Sequence, residues 1–300
     1  MKRPFSSGIR RGLDDAHPAA VLAYFLFALL PAMLSAHPGI QLSALIGAPL
    51  MLFCICGVRT ARSVLCFAVP AALLCALINA LFTHRGITVL FYFPSGNPCT
   101  LESLLSGASM AVTLLTVLCF TAMLSRIFTA DKTVCLFGNI SPSLALVLSM
   151  SLRFLPHYRR RLTAIRDAET GLGYALAHRH LLSRARAGLS LFSALFSVST
   201  EESLDIADSM RARGWGCGCR RTAYALLRFT GRDAAFVSVL VLCALSLLWG
   251  FAAGALSWAY YPYPHGAQPL SASVLPTVFY FIGVFSPVLL TRYSHVSIPT

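Results

Sequence analysis

The chain has 300 residues, 57% hydrophobic and only 12% charged, with a formal net charge of +13 and a mean hydropathy of +0.71. A soluble domain carries about 25% charged residues, so this composition excludes an ordinary soluble fold and makes the lipid bilayer the expected surroundings. The bases lie in connectors between apolar blocks, without the interleaved aromatics that stack bases, which argues against nucleic acid as a partner.

The first 17 residues carry Lys2, Arg3, Arg10 and Arg11. The apolar stretch that follows is too long, and too soon repeated, for a cleaved signal peptide. A membrane span needs about 20 mainly apolar residues, and six segments offer this: 18–36, 40–57, 63–82, 103–124, 234–254 and 272–290. The first two are separated by His37, Pro38 and Gly39, a break that predicts a hairpin; with one of that pair merely re-entrant, five spans would remain. Pro31, Pro49 and Pro70 fall inside spans, as membrane helices tolerate. Most of the ten cysteines, among them Cys54, Cys56, Cys66, Cys75, Cys119 and Cys243, sit in these apolar runs and read as small hydrophobes. Cys217 and Cys219 form a C-x-C with no second pair or nearby His, so no metal site is expected.

Orientation follows from the bases. With the N-terminus in the cytoplasm, 23 of the 24 lysines and arginines fall inside, and Arg85 alone falls outside. Both termini are therefore expected in the cytoplasm, with residues 1–17 and 292–300 as short ends. The predicted fold is all-α: a polytopic membrane bundle (18–125 and 233–291) with a cytoplasmic helical segment, 126–232, between the fourth and fifth candidate spans.

That segment has its own pattern. Ser141 and Pro142 suit an N-cap and first helical position, and the apolar run Leu144 to Leu152 is too short to span, which predicts an interfacial helix ending near Arg153 and Pro156. Leu155, Tyr158, Leu162, Ile165 and Leu172 then share one stripe of a second helix, away from Arg159, Arg160 and Arg166. A basic cluster, HRHLLSRARA, leads into the apolar run GLSLFSALFSV, again too short to cross lipid. A third helix is predicted from about Thr200, with Glu201, Glu202 and Asp205 in its first turns, where the dipole favours carboxylates, and it stops at Gly214. Glu202, Ile206, Met210 and Arg213 share a face of it. On local physics alone, Arg213 reads as a solvated helix-end arginine before a glycine cap.

Two other function classes fit less well. Glu201 and Glu202 could suggest a membrane protease, but the Glu-Glu-x-x-x-Arg pattern would need arginine where Ile206 stands. His84, His157, His178 and His180 have no zinc-like spacing with acids or cysteines and read as loop and surface residues. An ion-coupled secondary transporter usually holds ionisable groups at mid-membrane; the span centres lack them, Asn79 lies near a helix end, and no internal repeat is seen. It stays as the alternative function. No G-x-x-x-x-G-K-[ST] is present, so any ATP chemistry belongs to another polypeptide.

The string ESLDIADSMRARGWG, residues 202–216, closely resembles the second coupling motif of the transmembrane T component of energy-coupling factor transporters, the EcfT/CbiQ-like family, with Ala212, Arg213 and Gly214 as its Ala-Arg-Gly signature. MSLRFLPHYRRRLTAIRDAETGLG, residues 150–173, resembles the family's Arg-Phe-x-Pro stretch, here Arg153 to Pro156, and the helix leading to its first coupling motif. The loop HRGITVLFYFPSGNPCTLESL, residues 84–104, also looks like one carried by some members. One departure stands out: where the first motif often reads Ala-Arg-Gly, this chain has Gly171, Leu172 and Gly173. Leu172 extends an apolar stripe, which fits a contact made by packing rather than by charge.

The resemblance implies a non-catalytic coupling subunit in a bacterial or archaeal plasma membrane. Two ATPase subunits would use ATP and Mg, and a small membrane S component would capture a vitamin or transition-metal ion; this chain itself would bind no cofactor. It also implies that Ala212, Arg213, Gly214, Met210 and Gly171 to Gly173 meet the ATPases, supported by Arg153, Pro156, Glu202 and Ile206.

Overall fold

Ser35 to His37 end one apolar helix and start another: the Ser35 N–H donates to the Pro31 carbonyl at 3.0 Å, and His37 Nδ1 accepts from the Gly39 N–H at 3.1 Å. This break separates α1 (Pro18–Leu34) from α2 (Pro38–Cys56). The computed structural model describes residues 13, 16–83, 85–92, 98–173, 181–217, 229–266 and 268–288. Lys2 to Arg11, His84, His178, His180, Cys219 and Arg292 lie outside the described residues.

A second turn follows at Gly57, whose φ of 79° is open only to a residue without Cβ strain, and α3 (Val58–Phe82) begins there. Arg59 and Arg62, assigned to a connector by the sequence, are therefore in the first turns of α3. The loop 84–104 holds a two-stranded hairpin, β1 (Val89–Tyr92) with β2 (Pro98–Thr100), which the all-helical reading did not foresee. Helix α4 (Leu101–Ile127) starts directly on β2, and its buried Glu102 holds the hairpin by accepting from the Thr88 hydroxyl at 2.8 Å and the Thr88 N–H at 3.2 Å.

The chain forms two units, Met1–Lys132 with Leu227–Thr300, and Thr133–Leu226. The first contains α1 to α4, α8 (Gly231–Ala252), a small hairpin of β3 (Trp258–Ala259) and β4 (His265–Gly266), and α9 (Leu270–Phe285). Helices α2, α3, α4 and α8 are long and apolar enough to cross a membrane, while α1 and α9 are apolar but shorter. Helices α1 and α9 are stitched by two reciprocal bonds: the Tyr24 hydroxyl donates to the Val284 carbonyl at 2.9 Å and the Tyr280 hydroxyl to the Ala28 carbonyl at 2.8 Å. Buried tyrosines need such partners. Their axes come close because Gly283 leaves room for the Phe27 ring, and small residues at close crossings are the usual currency of packing in lipid. On α8, Thr230 and Asp233 form a capping box, and Asp233 also accepts from the His17 N–H at 3.2 Å, tying α8 to the start of α1.

The second unit corrects two sequence expectations. Helix α5 (Ala130–Ile140) leads to α6 (Pro142–Gly171), which runs unbroken for 30 residues through Pro156 rather than ending there. Proline removes one N–H, so the Leu152 carbonyl loses its donor, but its fixed φ is helical and a long helix can absorb the defect. Ser141 is the N-cap residue, as expected, but its hydroxyl makes no capping bond. Likewise α7 (Leu181–Ala212) runs for 32 residues, and no helix begins at Thr200. Glu201, Glu202 and Asp205 therefore sit deep within α7, where no helix-start dipole accounts for them.

Candidate partner-docking site

Helices α6 and α7 end in the same backbone turn. In α7, Gly214 takes a φ of +83°, its N–H donates to the Arg211 carbonyl at 2.9 Å, and the Trp215 N–H donates to the Met210 carbonyl at 3.0 Å. This pair of bonds is a Schellman cap, with Arg213 at the C-cap and Gly214 in the left-handed position just beyond. In α6, Gly173 also has a φ of +83°, its N–H donates to the Thr170 carbonyl at 3.0 Å, and Leu172 occupies the C-cap. Gly171, Leu172 and Gly173 thus match Ala212, Arg213 and Gly214 position for position. All six are exposed, Leu172 by 73%.

What holds the two helices together was only half visible in the sequence. Glu202, half-buried on α7, is clamped by two residues one turn apart on α6: Arg161 Nη1 lies 3.1 Å from its Oε1 and His157 Nε2 lies 3.3 Å from its Oε2. His157 is therefore a helix residue with a partner, not a loop residue. The signal available beforehand was the i, i+4 spacing of His157 and Arg161, which puts both on one face.

Beside this clamp runs a groove of about 830 Å³ between the N-terminal half of α6 and the C-terminal half of α7. Arg153, Glu202, Ile206, Met210, Arg213 and Gly214 all line it, so six of the sequence-predicted residues converge on one surface. Trp215, which the sequence reading had not singled out, lines it too. Ala212 is adjacent in the chain, and Pro156 is exposed on α6.

Gly171 to Gly173 are not part of this groove. The end of α7 lies beside the start of α6, so from the His157–Glu202 crossing the two caps point to opposite ends of the pair. Eleven residues separate Glu202 from Arg213 and fifteen separate His157 from Leu172, which at 1.5 Å per residue is about 16 Å and about 22 Å. The unit therefore presents two like-shaped tips of unlike chemistry, one cationic and one apolar, too far apart to enter one socket.

No family model matches the chain. The energy-coupling factor transporter transmembrane protein EcfT of Lactococcus lactis subsp. cremoris is 33% identical over 107 residues, 35% of this chain and 40% of that protein. The family resemblance is borne out. EcfT of Lacticaseibacillus paracasei is 36% identical over 106 residues, again 35% of this chain and 40% of the relative. The match spans 40% of the length of these two EcfT proteins. A Bifidobacterium longum protein named as an ABC transporter ATP-binding protein is 24% identical over 189 residues, 57% of this chain and 24% of the relative. Together with four apolar helices of spanning length, the EcfT likeness makes this a multi-pass membrane protein.

Proposed function

We propose that the chain is the transmembrane coupling subunit of an energy-coupling factor importer, with its two helix caps docking on two separate ATPase subunits. The observation that carries this is the pair of equivalent exposed caps, Gly171–Gly173 and Ala212–Gly214, at opposite ends of a clamped helix pair. A helix cap held in a fixed turn delivers its side chain with defined direction, and a guanidinium can then grip a carboxylate through two bonds at once. Movement of the ATPases on nucleotide binding would pull on both tips and pass through the α6–α7 clamp.

Several features support the finer reading. The B. longum relative is named as an ATP-binding protein, and this chain has no P-loop of its own. The chain would thus be non-catalytic, with ATP and Mg handled by the partner subunits. Both termini and residues 126–232 would face the cytoplasm. Exposed apolar side chains on α7, among them Leu189, Phe192 and Phe196, offer a surface for a small membrane S component that brings the vitamin or metal-ion cargo.

The test is to purify the tagged full-length chain in mild detergent from its own cells and identify what comes with it. P-loop ATPases together with a small membrane protein support the proposal. The chain alone, moving solute on an ion gradient in liposomes, would overturn it in favour of a secondary transporter.

A further inference from the structure

At the end of the bundle that carries Arg85, a cleft of about 370 Å³ opens between the end of α3, the start of α4 and the β3–β4 loop. Asn79, Phe82, Arg85, Ser106, Met110 and Tyr261 line it. Two polar atoms of its lining residues, Asn79 Oδ1 and the Tyr261 hydroxyl, are buried without a hydrogen-bond partner. Such atoms are uncommon because each forfeits its desolvation cost. The Asn79 amide nitrogen donates to Met110 Sδ at 3.1 Å, and since a thioether only accepts, this fixes the amide oxygen as the unmet acceptor.

We infer that this cleft binds the headgroup of a membrane phospholipid bearing a primary ammonium, of the phosphatidylethanolamine class. Each part of that headgroup answers one feature of the cleft. The Arg85 guanidinium and Tyr261 hydroxyl donate to phosphate oxygens, and among the described residues Arg85 has no ion-pair partner. The ammonium donates to Asn79 Oδ1, in the last turn of α3, where the helix dipole favours a cation. The volume lies in the range of small-molecule sites.

A lipid is favoured over a soluble phosphate by what lies next to the cleft. Phe82 in its wall is 79% exposed and Ile78, one turn earlier, 47%. Helix α3 is also the least buried of the four spanning-length helices, with 17% of its apolar window inside the protein. Acyl chains can therefore run along α3 while the headgroup sits in the cleft.

The experiment is native mass spectrometry of the full-length chain released from bilayers of equal phosphatidylethanolamine, phosphatidylcholine and phosphatidylglycerol. Retention of the ethanolamine lipid about tenfold above the choline lipid, which has no N–H to offer Asn79, is expected from one charge-assisted hydrogen bond. Asn79→Leu should erase that preference, and Arg85→Ala should lower retention of all three about tenfold. If Asn79→Leu does not purify, Tyr261→Phe removes only a hydroxyl and should lower retention about fivefold. Equal retention of the three lipids, or variants that behave as wild type, would overturn the inference. So would soluble phosphoethanolamine binding the delipidated chain as tightly as the lipid does.

Discussion

Leu172 and Arg213 occupy the same position in two copies of one backbone turn, each a helix C-cap followed by a glycine at φ +83°. The backbone delivers both side chains alike, so the difference between the tips is purely one of side-chain chemistry. On the proposed docking, the sockets that receive them would differ too: an acid for the Arg213 tip and a dry apolar surface for the Leu172 tip.

The first prediction concerns Arg213. Arg213→Ala or Arg213→Glu should leave the chain in the membrane but weaken ATPase binding by about 2 to 5 kcal/mol, the cost of truncating one member of a desolvated charge pair. Pull-down titrations would show this, and uptake should be lost. Normal ATPase retention with full uptake would count against the docking assignment.

Leu172 should behave differently. Leu172→Ala should cost about 1.5 to 3 kcal/mol of docking through lost apolar burial, without changing how binding responds to salt. In contrast, the Arg213 contact should weaken as ionic strength rises, because screening acts on charge. Binding measured across a salt series in the two variants separates the tips.

Gly214→Ala should destabilise the end of α7 by about 1 to 2 kcal/mol, since only glycine takes this left-handed turn without Cβ strain. Faster amide exchange confined to the last turn of α7 is the expected readout.

The clamp should be modest in energy. Both Arg161 and His157 are partly exposed, so a double-mutant cycle on Arg161→Ala and Glu202→Ala should give a coupling of about 0.2 to 1 kcal/mol. The accompanying readout is a modest rise in amide exchange confined to residues near 157–161 and 202.

In the membrane unit, Gly283→Ala would drive a methyl into the Phe27 ring. Overpacking of this kind costs about 1 to 3 kcal/mol, and the purified variant should melt at lower temperature with its ATPase binding per folded molecule unchanged.

Much of this architecture was legible in the sequence because it rests on composition and backbone rules. Apolar block lengths located the helices of the bundle, and Gly214 announced a left-handed cap, whereas the matching cap at Gly173 emerged only from the structure. What escaped were features decided by tertiary context. Pro156 looked like a terminus because a lone proline ends most soluble helices, yet α6 continues through it. Glu201, Glu202 and Asp205 looked like a helix start because acids favour that place, whereas Glu202 is held instead by an arginine and a histidine on a neighbouring helix. The hairpin Val89–Tyr92 with Pro98–Thr100 was hidden because strands of 4 and 3 residues are too short to show a period-2 pattern. In the candidate site, the convergence of Arg153 with Met210 and Arg213 could not be seen until α6 and α7 were laid side by side.

The most direct test of the two-tip account is photo-crosslinking from residues 172 and 213 in the full-length chain, in its native membrane. The account predicts that a photoreactive side chain at either position captures a P-loop ATPase. Capture of lipid alone, or of no protein at either position, would contradict it.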